Sequence, residues 1–77
     1  MRGFQDTEGR LWEVVVGRES WGTIVAIFFL RAETGPARQS LMDVKSVDEG
    51  NRLLLSLSPE ELQSLLGKSV PKSTTQL

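Results

Sequence analysis

The sequence predicts an α+β fold: an antiparallel β-meander of three to four strands, followed by two short C-terminal α-helices packed on one sheet face. Three observations carry this. Residues 1–45 hold successive runs rich in β-branched and aromatic residues, separated by polar, glycine-bearing turns. From Ser46 onward the apolar spacing changes to a helical one, behind two Ser-x-x-Glu capping boxes. The connections between the apolar runs are of hairpin length, which makes the strand order sequential.

Near the start of the chain Gly3–Gln5, with Phe4, are expected as a short edge strand, followed by Asp6-Thr7-Glu8-Gly9. Asp early in a turn and Gly at its end suit a tight turn, since Gly accepts φ > 0 without steric cost. Residues 10–16, Arg10-Leu11-Trp12-Glu13-Val14-Val15-Val16, read as a strand. Trp12, Val14 and Val16 share one face and Leu11, Glu13 and Val15 the other, with Glu13 marking the wetter side. Gly17-Arg18-Glu19-Ser20-Trp21-Gly22 is the next connection. Trp21 and Arg18 are candidate contact residues in it, because both residue types are enriched at interface hot spots.

The central strand is Thr23-Ile24-Val25-Ala26-Ile27-Phe28-Phe29-Leu30, without charge, Pro or Gly. It is far short of the roughly 20 apolar residues that a membrane-spanning helix needs. Ile24, Ala26, Phe28 and Leu30 share one face; Val25, Ile27 and Phe29 share the other. A strand with one wet face alternates apolar with polar residues. This one is apolar on both sides, so both call for cover, and two short helices supply only one. Val25, Ile27 and Phe29 are therefore candidate interaction residues. Barrel-like coiling of the sheet, or one helix on each face, would bury them instead.

After the Glu33-Thr34-Gly35-Pro36 turn, residues 37–44 form a weaker strand suited to an edge. Arg38, Ser40, Met42 and Val44 lie on one face; Ala37, Gln39, Leu41 and Asp43 lie on the other. Ser46-Val47-Asp48-Glu49 is a capping box. Behind it Val47, Leu53, Leu54 and Leu57 form an apolar stripe, and Gly50 gives room for close approach to the sheet. Leu57-Ser58-Pro59-Glu60-Glu61-Leu62 is a second capping box, with Pro at the first helical position and a Leu57–Leu62 staple. Leu62, Leu65 and Leu66 form its stripe, and Gly67 is placed as a left-handed C-terminal stop. The predicted core is Trp12, Val14, Val16, Ile24, Ala26, Phe28, Leu30, Leu53, Leu54, Leu57, Leu62, Leu65 and Leu66. One domain spans residues 1–70, with a flexible polar tail at 71–77.

The chain contains neither His nor Cys. The usual Ser or Cys triads, disulfides and thiolate chemistry are thereby excluded. No Gly-rich phosphate loop is present. The carboxylate pairs Asp48/Glu49 and Glu60/Glu61 occupy first-turn helix positions, where they complement the helix dipole. The expectation is a non-catalytic protein without cofactor, metal or small-molecule substrate. Nine basic and ten acidic residues give a net charge of -1, evenly distributed, with six of each sign in residues 1–45. That balance disfavours nucleic acid and membrane surfaces as partners. The alternative is a single-stranded nucleic-acid binder using Trp12, Trp21, Arg10, Arg18, Arg31 and Arg38, although Glu8, Glu13, Glu19 and Glu33 are interleaved with the arginines.

The phrases Phe4-x-Asp6-x-x-Gly9-Arg10-x-Trp12-x-Val14 and Leu57-Ser58-Pro59-Glu60-Glu61-Leu62 resemble those of small bacterial proteins of unknown function, and turn and cap chemistry accounts for both. Residues 1–6 carry no apolar signal segment, so a cytoplasmic location is expected. The function expected from the sequence is a small protein–protein interaction module or accessory subunit, with a protein partner or a second copy of the chain on the uncovered sheet face.

Overall fold

A computed structural model describes residues 2–20, 22–31 and 37–71. Five strands and two helices follow in the order β1 (Arg2–Gln5), β2 (Leu11–Arg18), β3 (Ile24–Leu30), β4 (Arg38–Leu41), α1 (Val47–Ser56), α2 (Pro59–Gly67) and β5 (Val70–Pro71). The sheet is antiparallel and open, in the order β1-β2-β3-β4-β5. It is the expected meander with one strand more than expected. β4, expected at the edge, is flanked by β5, which pairs Val70 with Gln39 and Pro71 with Arg38. Pro71 thus belongs to the sheet rather than to a tail, while residues 72–77 and the predicted 33–36 turn lie outside the described residues.

Two hairpins close in the same way. In the first, Asp6 N donates to Arg10 O (2.9 Å) and Gly9 N to Asp6 O (3.1 Å). In the second, Glu19 N donates to Thr23 O and Gly22 N to Glu19 O, both at 2.8 Å. Gly9 (φ 85°) and Gly22 (φ 93°) occupy the left-handed region. This is the three-residue hairpin loop ending on a glycine bulge, which needs Gly at that place.

Both helices lie on one face of the sheet. Leu54 from α1 and Leu62 and Leu66 from α2 join Phe4, Trp12, Val14, Ile24, Ala26, Phe28 and Met42 in a single core cluster. Phe28, fully buried, is its centre: Phe4 and Trp12 meet it edge-on, with ring centroids 6.2 and 6.5 Å away. Such pairs add about 0.5–1.5 kcal/mol each beyond area burial. Gly50 lets α1 settle closely onto β2 and β3, as its place in the sequence suggested. A Cβ there would stand 3.0 Å from Val16 Cγ1 and 3.4 Å from Ile24 Cγ2.

Three expectations are corrected. Leu53 is 38% exposed, because α1 buries the narrower stripe Val47, Gly50 and Leu54, continued by Leu57 beyond its end. Gly67 does not adopt a left-handed stop. Lys68 ends α2 in the right-handed region, its N–H directed at the last carbonyls of the helix. At α1, Ser46 accepts from Glu49 N as a cap should, but the Glu49 carboxylate accepts from Lys45 N rather than Ser46 N. The capping box at α2 is complete: Ser58 N donates to Glu61 Oε1 (2.8 Å) and Glu61 N to Ser58 Oγ (3.1 Å).

Two arginines tie the ends of the helices to the sheet. Arg2 Nη1 donates to the carbonyls of Leu54 and Leu55, both at 3.2 Å. It thereby places a cation at the negative end of α1, whose last turn has no basic residue of its own. Arg38 donates from Nε to Ser69 Oγ and from Nη2 to Ser69 O, both at 2.8 Å, and fixes the turn from α2 into β5.

Candidate interaction surface

Directly opposed residues of an antiparallel pair point to the same face. The register therefore assembles the helix-free face in rows. Gly3, Glu13 and Phe29 form one. Val15, Ile27, Gln39 and Val70 form the next, and Gly17, Val25 and Leu41 the third. Leu11 stands beyond the first row, opposite Gln5. Glu13 is the only charged side chain on these rows. It pairs with Arg31 at 3.2 Å beside Phe29, at the margin of the apolar area.

The three candidates on β3 fare differently. Val25 is 1% exposed, Ile27 is half-buried and Phe29 is 43% exposed. No helix covers Val25. Gly17 leaves a gap into which Ile27 leans: a Cβ on Gly17 would stand 2.6 Å from Ile27 Cδ1 and 3.7 Å from Val25 Cγ2. The two β3 side chains thus close one end of the face by packing over a glycine, while the Phe29 end stays open. Val25 consequently has no surface to offer a partner. Arg18 is exposed but lies opposite Ile24, on the helix side at the end of β2, and is not brought together with Ile27 and Phe29. Trp21 lies outside the described residues.

Sequence reasoning did not single out Leu41 (71% exposed), Val70 (55% exposed) or Leu11, all on this face. The alternation of residues 37–44 placed Leu41 opposite Met42. Which side of that strand faces the helices, however, is set by its register with β3. Val70 sits in a two-residue strand, too short for any periodic signal. Leu41, Val70 and Val25 line a groove of about 370 Å³ together with Gln39, Ser40 and Lys68. Gln39 Oε1 is shielded from solvent and has no donor among the described residues.

The polar cluster around Asp6 is committed to the fold. Asp6 Oδ1 accepts from the N–H groups of Glu8 and Arg10, both at 2.9 Å, and Oδ2 accepts from Trp12 Nε1 at 2.8 Å. Arg10 adds an ion pair at 3.4 Å and also bonds Glu8. The Trp12 indole N–H, helped by those backbone donors and the Arg10 charge, holds the Asp6 carboxyl below its ordinary range despite burial, which acts the other way. The adjoining cleft of about 390 Å³ is lined by Asp6, Arg10, Trp12 and Arg38 among others, each already bonded within the chain. Among the described residues no group of three His, Cys, Asp or Glu could hold a metal ion, and no helix is long and apolar enough to cross a membrane.

Of the nucleic-acid candidates, Trp12 is buried with its N–H on Asp6, so its ring is closed to a base. Arg10, Arg31 and Arg38 are held by Asp6, Glu13 and Ser69. No family model matches this chain, and neither the curated proteins nor the solved structures contain a match.

Proposed function

We propose that this chain is a small, non-catalytic protein–protein interaction module that works through the helix-free face of its sheet. One observation carries the proposal. Phe29, Leu41 and Val70 are exposed on a helix-free face whose rows carry one charged side chain, Glu13, paired with Arg31 at the Phe29 end, with Lys68 beside the groove at the other. Isolated exposed apolar residues are ordinary, whereas a contiguous apolar sheet face is the mark of a covered surface. Of the described nucleic-acid candidates, Trp12, Arg10, Arg31 and Arg38 are instead bonded within the chain.

The experiment is a comparison of wild type with Phe29→Glu. The wild type associates, with itself or with a partner recovered by affinity capture. The variant keeps its circular dichroism spectrum and loses the association. A wild type that sediments as a compact monomer and retains no protein would refute the proposal.

A further inference from the structure

From the backbone of β1 we infer a docking site separate from the helix-free face: the outer edge of β1 takes an extended segment of another protein, and a lysine or arginine of that segment enters the cleft beside Glu60. In an antiparallel ladder successive residues turn their N–H and C=O groups to opposite sides of the strand. The bond from Asp6 N to Arg10 O fixes the phase. Phe4 and Arg2 therefore bond Trp12 and Val14 of β2, while Gly3 and Gln5 direct their N–H and C=O groups outward. Both residues are exposed, and among the described residues no backbone group pairs with these four.

The far edge of the sheet is closed. Val70 turns toward Gln39, so the outward position of β5 falls to Pro71, which has no N–H to offer. β1 carries no such block. Its Gly3 is also unexplained by the fold. It does not occupy the left-handed region, and a Cβ there would meet only Trp12 O, at an ordinary 3.7 Å. Glycine weakens a strand, and in one it often marks the close approach of another backbone.

A cleft of about 250 Å³ adjoins this edge. Gln5, Asp6 and Thr7 form one wall, and Pro59, Glu60 and Gln63 of α2 the other. On an added strand, the residue next to the Gln5 rung turns its side chain to the helix side, where the cleft lies. Main-chain bonds to the edge hold such a segment and side-chain pockets select it. The selection here is by charge. No basic residue lines the cleft; Asp6 is bonded to Trp12 and its own turn, whereas Glu60 is exposed and has no ion pair among the described residues. A second copy paired edge to edge would bring Arg2, whose guanidinium already serves the carbonyls of Leu54 and Leu55. The cation must come from a different chain.

The probe is a blocked heptapeptide of alternating valine and threonine with one threonine replaced by lysine, added at millimolar concentration to the isotope-labelled chain. In the free chain the amides of Gly3 and Gln5 should exchange with solvent faster than that of Phe4. The peptide should shift both signals and slow their exchange. Glutamate in place of the lysine should weaken binding about three- to fivefold, the size of one exposed ion pair, and Glu60→Gln should remove that difference. Gly3→Pro deletes an outward N–H and keeps the bonds of Phe4 and Arg2 to β2, so it should fold and abolish the shifts. If it does not fold, a peptide N-methylated at alternate residues should give the same loss. Phe29→Glu should leave peptide binding unchanged, which separates this site from the face proposed above. Three results would overturn the inference: no shift at Gly3 and Gln5, equal affinity for the lysine and glutamate peptides, or shifts that survive both Gly3→Pro and N-methylation. Shifts that arise on concentrating the chain alone overturn it in favour of a second copy. Shifts confined to Phe29, Leu41 and Val70 overturn the edge and leave the helix-free face as the binding surface.

Discussion

Replacing Asp6 with Asn changes one atom in the most heavily bonded side chain of the molecule. The carboxylate accepts three hydrogen bonds, from Glu8 N, Arg10 N and Trp12 Nε1, and its side chain is only 4% exposed. Asn keeps one acceptor. With its oxygen on the two backbone donors, its NH₂ confronts the Trp12 N–H, donor against donor. Trp12 is buried, so that N–H has no water to turn to. An unmet buried donor costs about 1–3 kcal/mol, and the two surviving bonds weaken by a few tenths of a kcal/mol to about 1 kcal/mol each on losing the charge. The expected loss is about 2–4 kcal/mol, against about 4–12 kcal/mol for a 77-residue domain. Urea unfolding at pH 7 measures it. The pH profile supplies the sharper check. The folded state holds Asp6 below its ordinary pKa, so its contribution is fully present above the unfolded value of about 3.9 and is lost as pH falls through the folded value. The gap between wild type and Asp6→Asn should therefore be widest near neutrality and close below about pH 4. A gap under about 0.5 kcal/mol at pH 7, or one that persists unchanged to about pH 2, would refute this account of the turn.

The two ends of β3 make a paired prediction. Val25→Glu, at a site 1% exposed, forces a carboxylate into an apolar setting at a cost of several kcal/mol and should unfold the chain, whereas Phe29→Glu should fold and lose only association. Circular dichroism with sedimentation separates the two outcomes, and a folded Val25→Glu would contradict the packing over Gly17. At Gly50, Leu gains up to about 1 kcal/mol of helix propensity but drives a side chain into Val16 and Ile24, and overpacking of this kind costs about 1–3 kcal/mol or more. Gly50→Leu should lower the urea midpoint; an unchanged or higher midpoint would mean that α1 can stand off from the sheet.

The signals that could be read from sequence are those written within a few neighbouring residues. Asp6 and Gly9 specify a turn together, and Ser58, Pro59 and Glu61 specify a helix start, because the partners of each bond sit three or four residues apart. The alternation in residues 10–16 and 24–30 separated the two faces of β2 and β3 for the same reason. What stayed hidden depends on distant pairings. Arg2 reaches the end of α1, Arg38 reaches Ser69, and β5 exists only because α2 delivers Val70 beside Gln39. Two residues, one of them Pro, carry no strand signal of their own. Phe4 gave too little context to be counted in the core, although its ring meets Phe28.

The interaction surface divides along the same line. The sequence marked β3 as too apolar for one wet face, and the open strand order removes barrel closure as the remedy. With both helices on the opposite face, the excess must be met on this face. The chain meets part of it locally, since Ile27 leans over Gly17 and Val25 is buried without a helix above it. This packing stops at the next residue of the row. Gln39 sits there with an acceptor that has no donor among the described residues, and Leu41 and Val70 flank it, each more than half exposed. A face that only had to stay dry at one end could carry Thr at those two positions and keep a good strand former on the wet side. Leu41 and Val70 contribute little to the fold of the single chain, and on the proposed interaction reading their energetic value lies in what covers them.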